Sequence, residues 1–169
     1  LEEIYIKSQK LIVIHQSTNR KKIDFKQKEK IVIFVGKLNR AKGYDVFGEA
    51  IIKILNKFAD WKALVIGDEE REKIFFKHQR LNLIGFQDHN KVISYFKKSS
   101  MSVICSRWEE AFGRTSLESA SCGCAVIITN RGGLPETITN GIILNSLDQK
   151  SVYDAIEQLI QNRKYRENL

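Results

Sequence analysis

Two carboxylates flank a glycine in the stretch Glu110-Ala111-Phe112-Gly113-Arg114-Thr115-Ser116-Leu117-Glu118. An ionised carboxylate only accepts hydrogen bonds, and its two oxygens can take both hydroxyls of a diol such as a ribose. Gly113 allows a ligand to approach the main chain closely. A helix beginning near Arg114 would present first-turn amides without intrahelical partners, and its dipole would add partial positive charge. Such a turn can receive a diphosphate without a metal. A single glutamate in this context reads as a surface or helix-start charge. Two of them bracketing Phe-Gly at the mouth of a buried strand read as a binding site. A second loop, Gly36-Lys37-Leu38-Asn39-Arg40-Ala41-Lys42-Gly43, carries three cations. Cations beside a helix start suit phosphate. The spacing is neither a Walker A loop nor a dinucleotide fingerprint, so alone the signal is weak.

These loops need a scaffold. Short apolar runs recur at Leu11–Ile14, Ile31–Val35, Ala63–Ile66, Leu81–Ile84, Ser102–Cys105, Ala125–Thr129 and Ile142–Leu144. Most are continuous rather than alternating, as in strands covered on both faces. Between them, Tyr44, Phe47, Ile51, Ile54, Leu55 and Phe58 recur at helical steps, as do Val92, Ile93 and Phe96. Val152, Ala155, Ile156, Leu159 and Ile160 follow the same rule, with Asp148 as an N-cap. Alternation of this kind predicts an α/β, doubly wound, mainly parallel sheet with helices on both faces. Ligands in such sheets lie beyond the carboxyl ends of strands. The informative loops are therefore 36–43, 67–70, 85–88, 106–113 and 130–135. Residues 15–30 show no helical period and read as a linker.

The 169 residues fit one domain and carry a formal net charge of +8. No apolar run reaches the roughly 20 residues of a bilayer span. Cys105, Cys122 and Cys124 have no further ligand at finger-like spacing and read as buried thiols of a reducing cytosol. Residues 1–30 hold eight Lys and Arg against four acids. That excess reads either as a patch drawn to an anionic membrane or as a solvated basic surface. Nucleic-acid binding is not expected, because no interleaved aromatics or reading motif accompany the basic stretch. A nicotinamide cofactor is not expected, because no GxGxxG follows a strand.

Taken together, the motifs resemble a known family. Glu110 and Glu118, with seven residues between them, are similar to the E-x7-E motif of retaining GT-B glycosyltransferases of group 1. Glu110-Ala111-Phe112-Gly113, then Leu117-Glu118-Ser119-Ala120-Ser121-Cys122-Gly123-Cys124-Ala125-Val126, then Gly132-Gly133-Leu134-Pro135-Glu136, resemble the family run in order and distance. Gly36-Lys37 with Lys42-Gly43 resembles its G-R…K-G loop. The likeness covers most of residues 31–145. It implies a Rossmann-like C-terminal, donor-binding half of GT-B over residues 31–169. Residues 1–30 would be the tail of an N-terminal domain or the interdomain linker. The start at Leu1, without an initiator Met or signal pattern, fits a chain cut from a longer cytoplasmic protein, either free or peripheral on the inner membrane face.

The resemblance also implies roles. Lys42 and Glu110 would be catalytic, with Lys42 and Lys37 holding the donor diphosphate and Glu110 contacting the donor sugar. Gly36, Phe112, Gly113, Arg114 and Thr115 would bind the phosphates and sugar, Glu118 the ribose, and Gly85 and Phe86 the base. The donor would be a nucleoside-diphosphate sugar, with no cofactor and no metal. The acceptor, a glycan, lipid or other hydroxyl of the kind used in bacterial cell-surface polysaccharide or glycoconjugate synthesis, would be bound by the other half. The chain alone would then bind donor without transfer. Two departures stand out: Lys37 occupies an Arg position and lacks the bidentate fork, and Cys124 replaces a Pro. Arg40 is a candidate to compensate for Lys37, and Arg131 adds a cation nearby. The competing reading is a non-catalytic α/β module holding another phosphorylated ligand in the same cleft.

Overall fold

The computed structural model describes residue 12, residues 14–18 and residues 23–169. Six strands form one sheet: β1 (Glu29–Val35), β2 (Lys62–Ile66), β3 (Leu81–Gly85), β4 (Ser99–Ile104), β5 (Ala125–Thr129) and β6 (Ile142–Leu144). Their spatial order is β3-β2-β1-β4-β5-β6, and every neighbouring pair is parallel. Among the described residues, five α-helices accompany them: α1 (Tyr44–Lys57), α2 (His89–Lys98), α3 (Arg114–Ser121), α4 (Gln149–Gln161) and α5 (Arg163–Asn168). The expected run Leu11–Ile14 lies largely outside the described residues.

Strand side chains point alternately to two cores, which is why the runs read as continuously apolar. Val32, Phe34, Val65, Val103 and Ile127 meet Phe47, Ile51 and Ile54 of α1 and Val152, Ile156 and Leu159 of α4. Ile33, Leu64, Ile66, Val126 and Ile128 meet Val92 and Phe96 of α2 on the other face, with Cys122, Cys124 and Leu134. The Asp148 carboxylate accepts the Ser151 amide and caps α4, as its position predicts.

Three features differ from the sequence pattern. The β4 strand starts at Ser99, three residues before the apolar run, because the Ser99 and Ser100 hydroxyls are absorbed by the carbonyls of Tyr95 and Glu29. The connection from β2 to β3 has no helix. Its Ile74 and Phe76 instead pack onto the α1 layer, and the Phe76 ring lies edge-on to Tyr44 at 5.6 Å. A Cβ at Gly48 would lie 1.9 Å from that ring, which explains a glycine inside α1. Finally, residues 24–28, at the end of the stretch read as a linker, are tied to the sheet and its helices. Phe25–Gln27 form a 3-10 turn capped by Asp24. The Lys28 ammonium donates to the carbonyls of Phe96 (3.0 Å), Ser99 (2.8 Å) and Cys122 (2.7 Å). Burial pushes its pKa down from the ordinary lysine value.

Phe47 is fully buried between α1 and the sheet, whereas Phe75 is 78% exposed. Phe47→Ala is expected to cost about 3–5 kcal/mol of stability. Phe75→Ala should stay within about 0.5 kcal/mol. Urea denaturation of both variants checks this.

Candidate functional site

The strand order reverses between β1 and β4. Chain leaving β1 turns toward β2, and chain leaving β4 turns toward β5, so their loops part and leave a crevice. A cleft of about 290 Å³ lies there, lined by Gly36 and Lys42 from the β1 side, Ile104, Ser106 and residues 110–115 from the β4 side, and Leu134. Gln16 also borders it.

Each wall has a local cause. Gly43 precedes α1 with φ +72°, and a Cβ there would lie 1.9 Å from the Cys105 carbonyl oxygen. The turn therefore presses against the end of β4, and Lys42 faces the cleft. Its ammonium pairs with Glu110, whose side chain is 17% exposed. Gly113 precedes α3 with φ +103°. No side chain caps α3, and the first helix amides to reach a backbone acceptor are those of Ser116 and Leu117, both on Gly113. Among the described residues the Arg114 and Thr115 amides have no protein acceptor, and both residues line the cleft. The Gly132-Gly133 turn supports the opposite rim. The Gly133 amide donates to the Glu110 carbonyl at 2.7 Å, and the Gly132 amide donates to the Glu109 carboxylate at 2.6 Å.

Glu118 sits behind this first turn of α3. One of its oxygens accepts from Arg114 (3.1 Å) and lies 3.1 Å from His89 Nε2. Its other oxygen has no protein partner among the described residues. Arg114 borders the cleft and touches Glu118, so Lys42, Glu110 and Glu118 lie at one end of the sheet. A neighbouring hollow of about 240 Å³ is lined by Val35, Gly36, Lys37, Ile66, Gly67, Asp68, Phe86, Gln87 and Val92. It shares Val35 and Gly36 with the first cleft. Phe86 is 72% exposed and flanks this hollow. Gly85 precedes it, and its carbonyl accepts the Gly67 amide at 3.0 Å.

Lys42, Glu110, Phe112, Gly113, Arg114 and Thr115 are thus brought together, with Glu118 one step behind. Lys37 stands apart from Lys42, in the second hollow with Phe86. Arg40 is exposed. Arg131 is spent on Glu109 at 3.0 Å. Sequence reasoning singled out the loops of Ser106 and Leu134 without giving either residue a role, and it missed Gln16 and His89. Ser106 and His89 follow strand ends, which was an available signal. Gln16 carries none, because only the folded path of the N-terminal stretch brings it near. Among the described residues, no three His, Cys, Asp or Glu side chains converge as a metal centre would require. All three thiols are buried, and burial raises those of Cys105 and Cys124 to about 12.

A family profile described as glycosyl transferases group 1 matches residues 15–169. The chain belongs to the group 1 glycosyl transferases. It is 30% identical over 161 residues to spore coat protein SA of Bacillus subtilis, covering 83% of this chain and 42% of that protein. It is 27% identical over 151 residues to a 2-deoxystreptamine N-acetyl-D-glucosaminyltransferase of Niallia circulans, covering 83% and 39%. The chain therefore spans less than half the length of these relatives. Among solved structures, the C-terminal domain of the group 1 family protein LpcC from Francisella tularensis superposes with a TM-score of 0.73 at 28% identity, covering 90% of this chain and 88% of that one. The Anabaena protein Alr3699/HepE, solved in complex with UDP-glucose, gives a TM-score of 0.70 at 17% identity over 82% of this chain and 41% of its own. The sheet and its flanking helices are those of the Rossmann-like C-terminal half of GT-B.

The contact of Gly43 with Cys105 sets the Lys42 turn. Gly43→Ala adds a Cβ at a left-handed φ against a carbonyl, so a loss of at least about 2 kcal/mol is expected. Thermal unfolding measures it, with the equally buried but right-handed Ala50→Gly as a comparison.

Proposed function

We propose that this chain is the donor-binding domain of a retaining glycosyltransferase. It holds a nucleoside-diphosphate sugar across the crevice between β1 and β4. The observation that carries the reading is the pairing, in one cleft, of the Lys42 ammonium with the uncapped start of α3. The diphosphate would lie between them, hydrogen-bonded to the Arg114 and Thr115 amides. The free oxygen of Glu118 would accept from the ribose. The base would extend toward the hollow beside Phe86 and Lys37, which shares Gly36 with the cleft. Family membership and the UDP-glucose bound to Alr3699/HepE support this class of donor.

The chemistry follows from charge. Transfer separates an oxocarbenium-like sugar from an anionic nucleoside diphosphate. Charge accumulates on the leaving phosphate, where a fixed ammonium and helix amides are already aimed. Such preorganised donors are worth roughly 3 kcal/mol each in comparable sites. In the ligand-free cleft Glu110 neutralises Lys42. With donor present, the phosphate takes the ammonium and Glu110 turns to sugar hydroxyls. Protein cations would then do the work of a metal.

The acceptor hydroxyl, from a glycan or lipid, would be brought by a second domain closing over the crevice, so this chain alone would bind donor without transferring it. The Bacillus and Niallia relatives, each more than twice as long, support that division of labour. The basic N-terminal stretch would favour an anionic membrane surface. Among the described residues no helix is long and apolar enough to cross a membrane.

Calorimetry against UDP-, GDP- and ADP-sugars should detect binding of at least one, unaffected by EDTA. Lys42→Ala and Glu118→Ala should each weaken it by about 1–3 kcal/mol, as for a lost charge-assisted hydrogen bond. No detectable binding to any nucleotide sugar would overturn the reading.

A further inference from the structure

Lys42 can act on a diphosphate only if its turn is held, and a lysine side chain does not hold itself. The turn is secured from across the crevice by Ser106, Arg107 and Trp108, just past the end of β4. The Ala41 carbonyl accepts from the amides of Arg107 (2.8 Å) and Trp108 (3.2 Å) and from the Ser106 hydroxyl (3.2 Å). The Arg107 guanidinium then closes over the outside. Its NH1 group donates to the Arg40 carbonyl (2.5 Å) and to Asp45 Oδ1 (2.7 Å), and its NH2 group donates to Asp45 Oδ2 (2.9 Å). Asp45 lies in the first turn of α1, just beyond Lys42. One side chain thus grips the backbone two residues before Lys42 and the helix three residues after it.

We propose that Arg107 is a positioning residue of the donor cleft, acting through Lys42 by locking the turn between β1 and α1 onto the end of β4. This rests on the donor-site reading above. Arg107 itself is not among the residues lining the cleft.

The planar fork matters. Two parallel bonds to Asp45 and a third to a carbonyl need donors fixed in one plane, which an ammonium cannot offer. The Asp45 side chain is 23% exposed and that of Arg107 39%, so the pair is partly shielded from water and salt. Burial opposes the Asp45 charge most strongly, but the bonds from Arg107, the Val46 amide and the Arg107 charge together outweigh it and hold the carboxyl below its usual range. Both partners therefore stay charged at neutral pH. Glu72 lies on the same side, accepting the Arg40 amide at 3.1 Å, and adds a second tie to the turn.

Two readouts test the proposal. In the unliganded chain, Arg107→Ala should speed amide hydrogen exchange in residues 38–43 by about tenfold or more, leaving β5 and α4 unchanged. Asp45→Asn should act in the same direction and serves if Arg107→Ala folds poorly. In UDP titrations, Arg107→Ala should weaken binding about tenfold in the native background and less than about twofold when Lys42 is already alanine. Arg107→Lys should recover only part of the loss. Equal losses in both backgrounds, or unchanged exchange in residues 38–43, would overturn the role. If the unaltered chain binds no UDP or other nucleotide, the donor-site reading fails, and the exchange experiment still decides whether Arg107 fixes the turn.

Discussion

The parallel ladder between β1 and β4 is the constraint from which the site follows. Phe34 and Val103 bury their side chains on one face of this pair, and Ile33 lies on the other. Because both strands are central and parallel, their carboxyl ends emerge side by side. Because the chain then leaves in opposite directions, the two loops part and leave a crevice between them. Into that space the fold directs one lysine and the beginning of one helix. Moving either strand by a residue would reverse the faces of its side chains, in β1 exchanging Val32 and Phe34 with Ile31 and Ile33 between two differently shaped cores and misfitting both. The cleft geometry is thus fixed by the same burial that stabilises the sheet.

Glycines then bring backbone to backbone at the crevice. Gly43 lies against the Cys105 carbonyl, and Gly132 against the main chain of residues 109–110. A left-handed φ at Gly43 and Gly113 starts each flanking helix abruptly, without a side-chain cap that would compete for its amides. In α4, by contrast, Asp148 occupies the amides, and no ligand is called for there. The start of α3, which borders the cleft, thus keeps amides that Asp148 takes up in α4. Charge is handled in the same economical way. Lys42 is held by Glu110, Glu118 by Arg114 and His89, and Arg131 by Glu109, each through contacts that an incoming phosphate or hydroxyl can replace.

Much of this was legible in the sequence because buried parallel strands and amphipathic helices leave distinct periods. Five of the six strands and the starts of α1 and α3 fall within a residue or two of the apolar pattern. The E-x7-E spacing and the glycine pairs identified the loops. What escaped notice depended on contacts between distant residues. Ser99 and Ser100 hide the start of β4, since a hydroxyl satisfied by a carbonyl looks like loop in sequence. Lys28 reads as one more surface cation, yet three carbonyls from two separate segments bury its charge. Lys37 and Lys42 look equivalent five residues apart, but the turn between them sends one to each hollow. Arg107 looks like a solvated loop residue until Asp45 and the Arg40 carbonyl are seen beneath it.

The central claim is that phosphate binds between the Lys42 turn and the start of α3. A crystal structure of the chain soaked with a nucleoside diphosphate tests it most directly. The account predicts phosphate oxygens within hydrogen-bonding distance of Lys42 Nζ and of the Arg114 or Thr115 amide, with the contact between Lys42 and Glu110 broken. A nucleotide bound elsewhere while Lys42 still grips Glu110 would contradict it.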